Sequence, residues 1–410
     1  MSGLVSRLVS LRVNNMGLDK LNFLIAGQLK TSRTETIENY YRDKVNCLGV
    51  IGISNPYAVK GLARCTLYEK GKKINEFPLK SIHLKGTHWF NQILMIPIFS
   101  LYLIGMLNAV FKLKRKFDVF IGVACFSTLF GILLKKIGLV DKVIYYTLDY
   151  YPLPRKWHIN TIINKIIWHL DKYCCKRVSL VWNISPRIIE AREKLMNFSR
   201  EEYNYMPVPL TYGEGLLRYK KREEIDEDTL VFVGTISQNQ GLEMVIEAMP
   251  QLIKRKPRLK VEIIGRGPSQ ETIKKIIKEK GLQDRFVFHG FVEDEEEVLS
   301  IISRCAVGLC TWTDDVDNNA IYADPGKPKL YAFCGIPMVI TNVTAVAEEI
   351  HKTKAGIAID YDKSQFVDAV LKILDGENSF EQYRQNSYAF AKRYTTEAVF
   401  ENVNQTILDF

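Results

Sequence analysis

The second half of the chain alternates short apolar runs with longer segments in which apolar residues recur every three or four positions. The runs have the length of buried strands and lie at residues 230–234, 260–265, 286–289, 307–310, 338–341 and 356–359. The intervening segments have the helical period and lie at residues 241–252, 270–280, 296–304, near 351, at 365–374 and up to 410. This alternation predicts a parallel, doubly wound α/β sheet, which binds ligands at the carboxyl ends of its strands.

The first half has the same rhythm and predicts a second Rossmann-like domain. Its predicted strands lie at residues 21–26, 47–53, 118–123, 142–146 and 179–183, and residues 205–209 form an exit strand and linker. Its predicted helices lie at residues 93–111, 127–137, 159–176 and 186–196. We therefore expect domains at 1–206 and 207–386, followed by a final helical segment at 387–410.

The stretch 322–341 combines a polar loop, a short helix, a glycine turn and a buried strand. Asp324, Gly326 and Lys327 stand at the mouth of that helix, where free backbone N–H groups and one cation are offered to an anion. Taken alone, this pattern also occurs as plain architecture. The position of the stretch in the predicted sheet favours a ligand-binding site, because glycines also follow other strands of that sheet, at Gly234, Gly265 and Gly290.

Four segments, at residues 230–248, 263–268, 286–292 and 324–340, resemble in order and spacing the donor-binding domain of the GT-B glycosyltransferases of family 4 (glycosyl transferases group 1). The resemblance covers about residues 230–399, and the first half resembles the acceptor domain only in its rhythm. It implies two Rossmann-like domains that face a central cleft, with the C-terminal helix crossing back to the first. It also implies a nucleotide-sugar donor as co-substrate, no cofactor and no metal.

The resemblance assigns roles on the donor side. Lys327 stands where the family's motif has its lysine, so it is expected to contact the phosphates, assisted by the backbone at Gly326. Asp324 lies near the family's first acidic position but out of register; it either holds sugar hydroxyls or forms a turn before proline. The other donor-binding positions are Gly234, Thr235, Ser237, Asn239, Gln240, Arg266, Gly290 and Leu330.

The chain departs from the family's pattern at three of these positions. Leu330 replaces the carboxylate that should hold the nucleotide ribose, and Thr235 and Gln240 replace two cations. Three outcomes stay open: Arg266 supplies compensating charge, donor affinity is low, or catalysis is lost.

In the first half, Asp149 follows a predicted buried strand and is a candidate to bind or deprotonate an acceptor hydroxyl, or else a structural turn residue. Gly27 and Lys30 are expected in the loop after the first strand, on the acceptor side. Asp315 and Asp317 form an Asp-x-Asp motif, but its place in a polar loop argues against metal binding.

Charge is distributed unevenly along the 410 residues. Residues 1–220 carry 33 basic and 15 acidic side chains, whereas the whole chain carries 56 and 46. Such asymmetry suggests an anionic partner for the first half, either nucleic acid or a membrane surface. No nucleic-acid-binding pattern is present, and aromatic residues are not interleaved with the basic ones, which favours the membrane.

An uncharged run at residues 93–111 is followed by the basic cluster 112–116. The run has the length to span a bilayer, yet it contains a proline and a glycine and leads directly into a sheet strand. Three alternatives remain: a spanning helix, a wholly internal helix, or a helix that partly faces lipid with the basic cluster at the headgroups.

The eight cysteines lack zinc spacing, which is typical of reduced thiols in a cytosolic protein. Residues 1–15 lack the features of a signal peptide, and Met16 is a possible start. We therefore expect a cytoplasmic protein attached peripherally to the membrane.

The leading hypothesis is a retaining, hexosyltransferase-like enzyme that moves a sugar from a nucleotide-sugar to a lipid-linked or polysaccharide acceptor. The alternatives are a catalytically degenerate binding subunit and a sugar-nucleotide 2-epimerase. A dinucleotide dehydrogenase is disfavoured, because no Gly-x-Gly-x-x-Gly follows the first strand of either half.

Overall fold

The computed structural model describes residues 17–28, 32–54, 63–80, 89–150, 152–153, 159–315, 319–375 and 377–409. The strands in this part of the chain are β1 (Asn22–Gln28), β2 (Cys47–Ile53), β3 (Arg64–Glu69), β4 (Lys72–Pro78), β5 (Phe117–Val123), β6 (Val140–Thr147), β7 (Leu180–Asn183), β8 (Tyr205–Pro207), β9 (Asp226–Val233), β10 (Lys260–Ile264), β11 (Phe286–Gly290), β12 (Cys305–Cys310), β13 (Met338–Thr341) and β14 (Gly356–Ile359).

The helices of the described residues lie between these strands and at the C-terminal end. They are α1 (Ser32–Tyr41), α2 (Trp89–Leu113), α3 (Ala124–Lys136), α4 (Ile159–Cys175), α5 (Pro186–Met196), α6 (Leu242–Arg255), α7 (Gln270–Glu279), α8 (Glu295–Ile302), α9 (Gly326–Phe333), α10 (Val346–Lys352), α11 (Lys363–Leu374), α12 (Glu377–Lys392) and α13 (Thr396–Asp409).

The strands form two sheets. The larger has the order β4-β3-β2-β1-β5-β6-β7-β8, and the smaller has the order β11-β10-β9-β12-β13-β14. All neighbouring strands of the smaller sheet are parallel. The predicted α/β class and alternating order are thus confirmed.

Strand β9 shows why the apolar runs of the second half are continuous rather than alternating. Leu230 and Phe232 pack into a core that includes side chains of α6, α7 and α11. Val231, between them, packs into a second core with side chains of α8, α9 and α10. Because helices cover both faces of this parallel sheet, every position of the strand from Thr229 to Phe232 is buried.

The hairpin of β3 and β4 is a feature that the sequence analysis missed. Its strands pair antiparallel with each other and with β2. β4 is largely exposed and polar, so it carries no apolar signal. The available signal was the turn at Lys70 and Gly71, where both residues adopt positive φ, as two-residue hairpin turns require.

The long apolar helix α2 is present and extends four residues beyond the predicted start and two beyond the predicted end. Among the described residues, no helix meets the length and hydropathy expected of a membrane span.

The chain divides into two compact units. One contains residues 1–145, 177–179 and 400–410, and the other contains residues 146–176 and 180–399. Residues 400–410 belong to the first unit, where Asn404 accepts a hydrogen bond from Tyr41 Oη (2.9 Å) and donates one to Tyr40 Oη (2.8 Å). Residues 387–399 belong to the second unit, so the predicted return of a helix at 387–410 stays a prediction. The predicted domain boundary at 206/207 stays a prediction.

Candidate functional site

The smaller sheet has one point at which its strand order reverses. From β9 the chain adds β10 and then β11 on one side, whereas β12, β13 and β14 follow on the other. Parallel sheets open a crevice at the carboxyl ends of the two strands that flank such a point. Here these strands are β9 and β12, and the residues that follow them line the candidate site.

Lys327, on the first turn of α9, reaches into this crevice. Its ammonium nitrogen lies 3.9 Å from the ring centroid of Phe232 on β9 and 5.0 Å from that of Trp312, just after β12. The same nitrogen donates a hydrogen bond of 2.8 Å to Oε1 of Gln240. The single cation of the predicted loop therefore lies between the two strands of the switch point.

Desolvation lowers the pKa of the Lys327 ammonium to about 8. The residue as a whole is half-buried, but its charged end faces aromatic rings and one amide oxygen. Among the described residues, the hydrogen-bond acceptor of the ammonium is the neutral amide of Gln240. An anion brought to this position would supply the counter-charge and raise the pKa again.

Glycines allow the backbone to close the floor of the crevice. Gly234 and Gly265 have φ of +136° and +135°. A Cβ on Gly265 would lie 1.9 Å from the carbonyl oxygen of Gly234, and one on Gly267 would lie 2.1 Å from that of Ile236. A side chain at Gly265 or Gly267 would thus collide with the backbone, which explains why both positions are occupied by glycine.

Helix α9 is fixed to the switch point by Tyr331, a residue that sequence reasoning missed. Its hydroxyl accepts a hydrogen bond from Val233 N (2.9 Å) and donates one to Leu309 O (3.3 Å), so it bridges β9 and β12. Gly308 makes room for the ring, since a Cβ there would lie 2.3 Å from it. Tyr331 is one turn after Lys327 and thereby positions the cation.

The Asp324 carboxylate has structural partners. It pairs with the ammonium of Lys329, whose side chain is 0% exposed, and it accepts a 2.5 Å hydrogen bond from Leu210 N. Lys329 also donates to Leu210 O (2.9 Å). This geometry ties residue 210 to the loop before α9 and leaves the carboxylate 7% exposed. Lys329 was missed because a lysine in a polar stretch gives no sign of burial.

Gly326 opens α9 where another side chain does not fit. A Cβ there would lie 2.5 Å from Oη of Tyr212 and 3.0 Å from Leu210. The N-terminus of α9 has no side-chain cap. The predicted role of its backbone in anion binding stays a prediction.

The loop after β9 forms one side of the crevice. The side chain of Gln240 accepts the hydrogen bond from Lys327, and the backbone carbonyl of Gln240 accepts one from Thr311 Oγ1 (3.0 Å). Ser237 Oγ donates to Asn239 Oδ1 (2.6 Å). Thr235 is exposed. The loop therefore presents hydroxyl and amide groups around a single ammonium.

Strand β11 ends in Gly290, which has φ of +73°. A Cβ there would lie 3.2 Å from Nε of Arg266, so the exposed guanidinium of Arg266 lies against this glycine. Phe291, the next residue, is 68% exposed, an unusual state for a large apolar side chain and one that sequence reasoning missed. Leu330 packs half-buried against the core behind α9.

The first-half candidates are placed as follows. Asp149 is exposed, two residues after β6. Gly27 does not lie in a loop as predicted: it is buried inside β1, paired with Gly52, and a Cβ there would lie 2.5 Å from Thr34 Oγ1. Lys30 lies outside the described residues.

The Asp-x-Asp motif is described only in part, because Asp317 also lies outside the described residues, and Asp315 is exposed. The part of the chain that the structure describes holds no group of three or more His, Cys, Asp or Glu side chains that could bind a metal ion.

Residues 227–376 match the family model described as Glycosyl transferases group 1. The chain is 26% identical to an alpha-D-kanosaminyltransferase of Streptomyces kanamyceticus over an alignment of 173 residues. This alignment covers 40% of each protein. The chain is 25% identical over 145 residues to a GDP-mannose-dependent alpha-(1-6)-phosphatidylinositol monomannoside mannosyltransferase of Mycolicibacterium smegmatis, which covers 33% of this chain and 35% of the relative. The chain thus aligns with well under half the length of either relative.

The fold is similar to that of HepE from Anabaena, solved in complex with UDP. The TM-score is 0.64 at 13% identity, over 95% of this chain and 100% of HepE. The predicted resemblance to GT-B glycosyltransferases is confirmed, and the fold is GT-B. The assignment to family 4 in particular stays a prediction.

Proposed function

We propose that this GT-B chain, whose residues 227–376 match the family model of the glycosyl transferases group 1, is a glycosyltransferase that uses a nucleotide-sugar donor. The observation that carries the proposal is the position of Lys327. A desolvated ammonium with one neutral hydrogen-bond partner stands at the switch point of a parallel sheet, where such sheets bind phosphorylated ligands. UDP in the HepE structure supports a uridine diphosphate donor.

In the proposed reaction the bond between the anomeric carbon and the diphosphate oxygen breaks, and negative charge develops on the leaving diphosphate. Lys327 offsets that charge from a preorganised position, which is the main catalytic lever available to such a site. Gln240 holds the ammonium in place before the donor arrives. The exposed ring of Phe291 and the guanidinium of Arg266 beside Gly290 offer a stacking surface and a second cation.

We further propose that the sugar is transferred with retention, without a metal, to a lipid-linked or polysaccharide acceptor. The mannosyltransferase relative, named for a phosphatidylinositol monomannoside, supports a lipid-linked acceptor. Asp149 remains the proposed acceptor-side carboxylate. We do not extend the proposal to Asp324, because Lys329 and Leu210 N already engage its oxygens.

The second candidate function is a degenerate binding subunit, favoured by the apolar Leu330 in place of a carboxylate. A thermal-shift screen of UDP-, GDP- and ADP-sugars separates the candidates when it is combined with an assay for release of the free nucleotide. A donor that binds raises the melting temperature. Stabilisation with nucleotide release supports the transferase, stabilisation without any turnover supports the binding subunit, and no stabilisation by any donor contradicts both.

The affinity for UDP is expected to depend on pH through Lys327. Only the protonated ammonium attracts the diphosphate, and its pKa without ligand is about 8. Above pH 8 the dissociation constant for UDP should therefore rise, by about tenfold per pH unit at most, until the pKa of the complex is reached. Calorimetric titrations from pH 7.5 to 9.5 measure this slope. Lys327→Gln should bind more weakly with no slope in that range, and an equal slope in this variant would contradict the assignment.

We also propose that the protein attaches peripherally to the cytoplasmic face of a membrane through α2 and the basic residues behind it. Leu101, Ile104 and Phe111 are each more than half exposed on α2. Lys112 and Lys114 are exposed, whereas Arg115 pairs with Glu69 and Lys116 with Asp141. The cations best available to lipid headgroups are thus Lys112 and Lys114.

Replacement of Lys112 and Lys114 by Gln should weaken binding to anionic vesicles by about 30-fold, since each basic residue near such a surface contributes ~1 kcal/mol. The matched control is Lys116→Gln, whose cation is already paired and whose loss should matter less. Vesicle sedimentation at two salt concentrations measures the binding of the double variant and of the control. Equal binding to neutral and anionic vesicles would contradict the electrostatic part of the proposal.

A further inference from the structure

A groove runs between strand β4 and helix α2, within the first of the two units. Its volume is about 610 Å³, within the range of small-molecule sites. Phe77, Leu79 and Leu101 are among the apolar residues that line it, and Lys80 and Lys112 are its two cations. None of the described residues that line it is acidic.

Helix α2 is apolar on both faces, and only one face is used by the core. The buried stripe consists of Ile98, Tyr102, Met106, Ala109, Val110 and Leu113. The opposite stripe exposes Leu101 by 55%, Ile104 by 66% and Phe111 by 55%. These three span about 15 Å of helix, since each residue rises ~1.5 Å. A helix that is apolar all round is normally buried on every side, so the outer stripe lacks the environment that its composition predicts.

Gly105 keeps the groove open in the middle of that stripe. It lines the groove, and a Cβ at this position would meet no heavy atom within 4 Å. At one end, the ammonium of Lys112 lies 5.6 Å from the ring centroid of Phe77. The groove is therefore an apolar channel with a cation at its end and exposed apolar side chains beside it.

We propose that this groove binds one alkyl chain of an anionic phospholipid, whose headgroup Lys80 and Lys112 hold. The apolar lining matches a hydrocarbon chain, and two cations without an acidic neighbour in the lining match an anionic headgroup. The inference deepens the proposed membrane attachment and rests on it: the outer stripe faces the bilayer, and the groove takes up a single lipid from it.

The test uses the full-length protein and dioctanoyl phosphatidylglycerol below its critical micelle concentration, titrated by calorimetry. Gly105→Phe places a ring at the groove, and the fold is expected to be retained because a Cβ at this position meets no heavy atom within 4 Å. This variant should bind the monomeric lipid at least about tenfold more weakly, because the chain and the new ring compete for one volume. It should still bind anionic vesicles as well as the wild type, since Leu101, Ile104, Phe111, Lys112 and Lys114 are unchanged.

Phe111→Ala is the matched control, because Phe111 is exposed on the same helix but does not line the groove. It should weaken vesicle binding and leave the affinity for the monomeric lipid within about twofold. If Gly105→Phe weakens only the binding of the monomeric lipid and Phe111→Ala weakens only the binding of vesicles, the groove is a lipid site distinct from the contact of the outer stripe with the bilayer.

Three results would overturn the inference. The first is monomer binding unchanged in Gly105→Phe. The second is equal affinity for dioctanoyl phosphatidylcholine. The third is a large gain in affinity after removal of residues 2–16, which would make that segment the occupant. If the wild type binds anionic vesicles but not the monomeric lipid, the groove proposal fails and the proposed attachment stands.

Discussion

Lys327→Met is expected to lower kcat/KM for the donor by on the order of 100-fold, as the loss of one preorganised charge contact does. The same substitution is expected to stabilise the ligand-free protein. The pKa of Lys327 in the folded protein is about 8, below the value of ~10.4 for an unfolded lysine, so the buried charge opposes folding. Methionine removes that charge, which lies over the rings of Phe232 and Trp312, and keeps an apolar side chain at this position.

The expected rise in the free energy of unfolding at pH 7 is on the order of 1 to 3 kcal/mol. The difference between variant and wild type should be largest below pH 8 and disappear above about pH 10, where the unfolded lysine also loses its proton. Urea denaturation at three pH values measures it. Undiminished turnover in Lys327→Met would remove the lysine from the site, and a loss of stability would show that its charge is paired.

Asp324→Ala is expected to destabilise the protein by ~3–5 kcal/mol, because it removes the carboxylate that is paired with the fully buried ammonium of Lys329. It also removes the acceptor of the Leu210 N–H. Urea denaturation should therefore show a much lower midpoint.

Two further variants identify the cause. Asp324→Ala combined with Lys329→Met removes both charges and should recover most of the stability lost in Asp324→Ala, which gives a large coupling energy in the double-mutant cycle. Asp315→Ala, an exposed aspartate nearby, should change stability by no more than about 0.5 kcal/mol. If Asp324 binds donor sugar hydroxyls instead, Asp324→Ala should keep its stability and lose donor affinity.

Lys327 and Lys329 show which features of the candidate site can be predicted from the sequence and which cannot. Both are lysines in one polar stretch, and only the motif distinguishes Lys327. Its place at the switch point follows from the strand order, which the apolar runs predict. The burial of Lys329 depends on residue 210, more than a hundred positions away, and on the ring of Tyr394, 4.3 Å from its ammonium. Local pattern carries no information about such long-range partners.

The strands and helices also differ in how well the sequence predicts them. β2 was predicted with its observed bounds because all seven of its residues are buried and its run is apolar. β4 and α1 were missed because their residues are mostly polar, and their places depend on pairing and packing. Gly27 was placed in a loop because a glycine after an apolar run indicates a turn. In the fold it is inside β1, where Thr34 and Val123 leave no room for a Cβ.

A crystal structure of the protein with UDP tests the central claim most directly. The account predicts the diphosphate at the carboxyl ends of β9 and β12, with an oxygen of the terminal phosphate ~2.7–2.9 Å from Nζ of Lys327, as in charge-assisted hydrogen bonds. The nucleoside is expected towards Phe291 and Arg266, at the end of β11. UDP bound elsewhere, with the ammonium of Lys327 still hydrogen-bonded to Gln240 alone, would contradict the account.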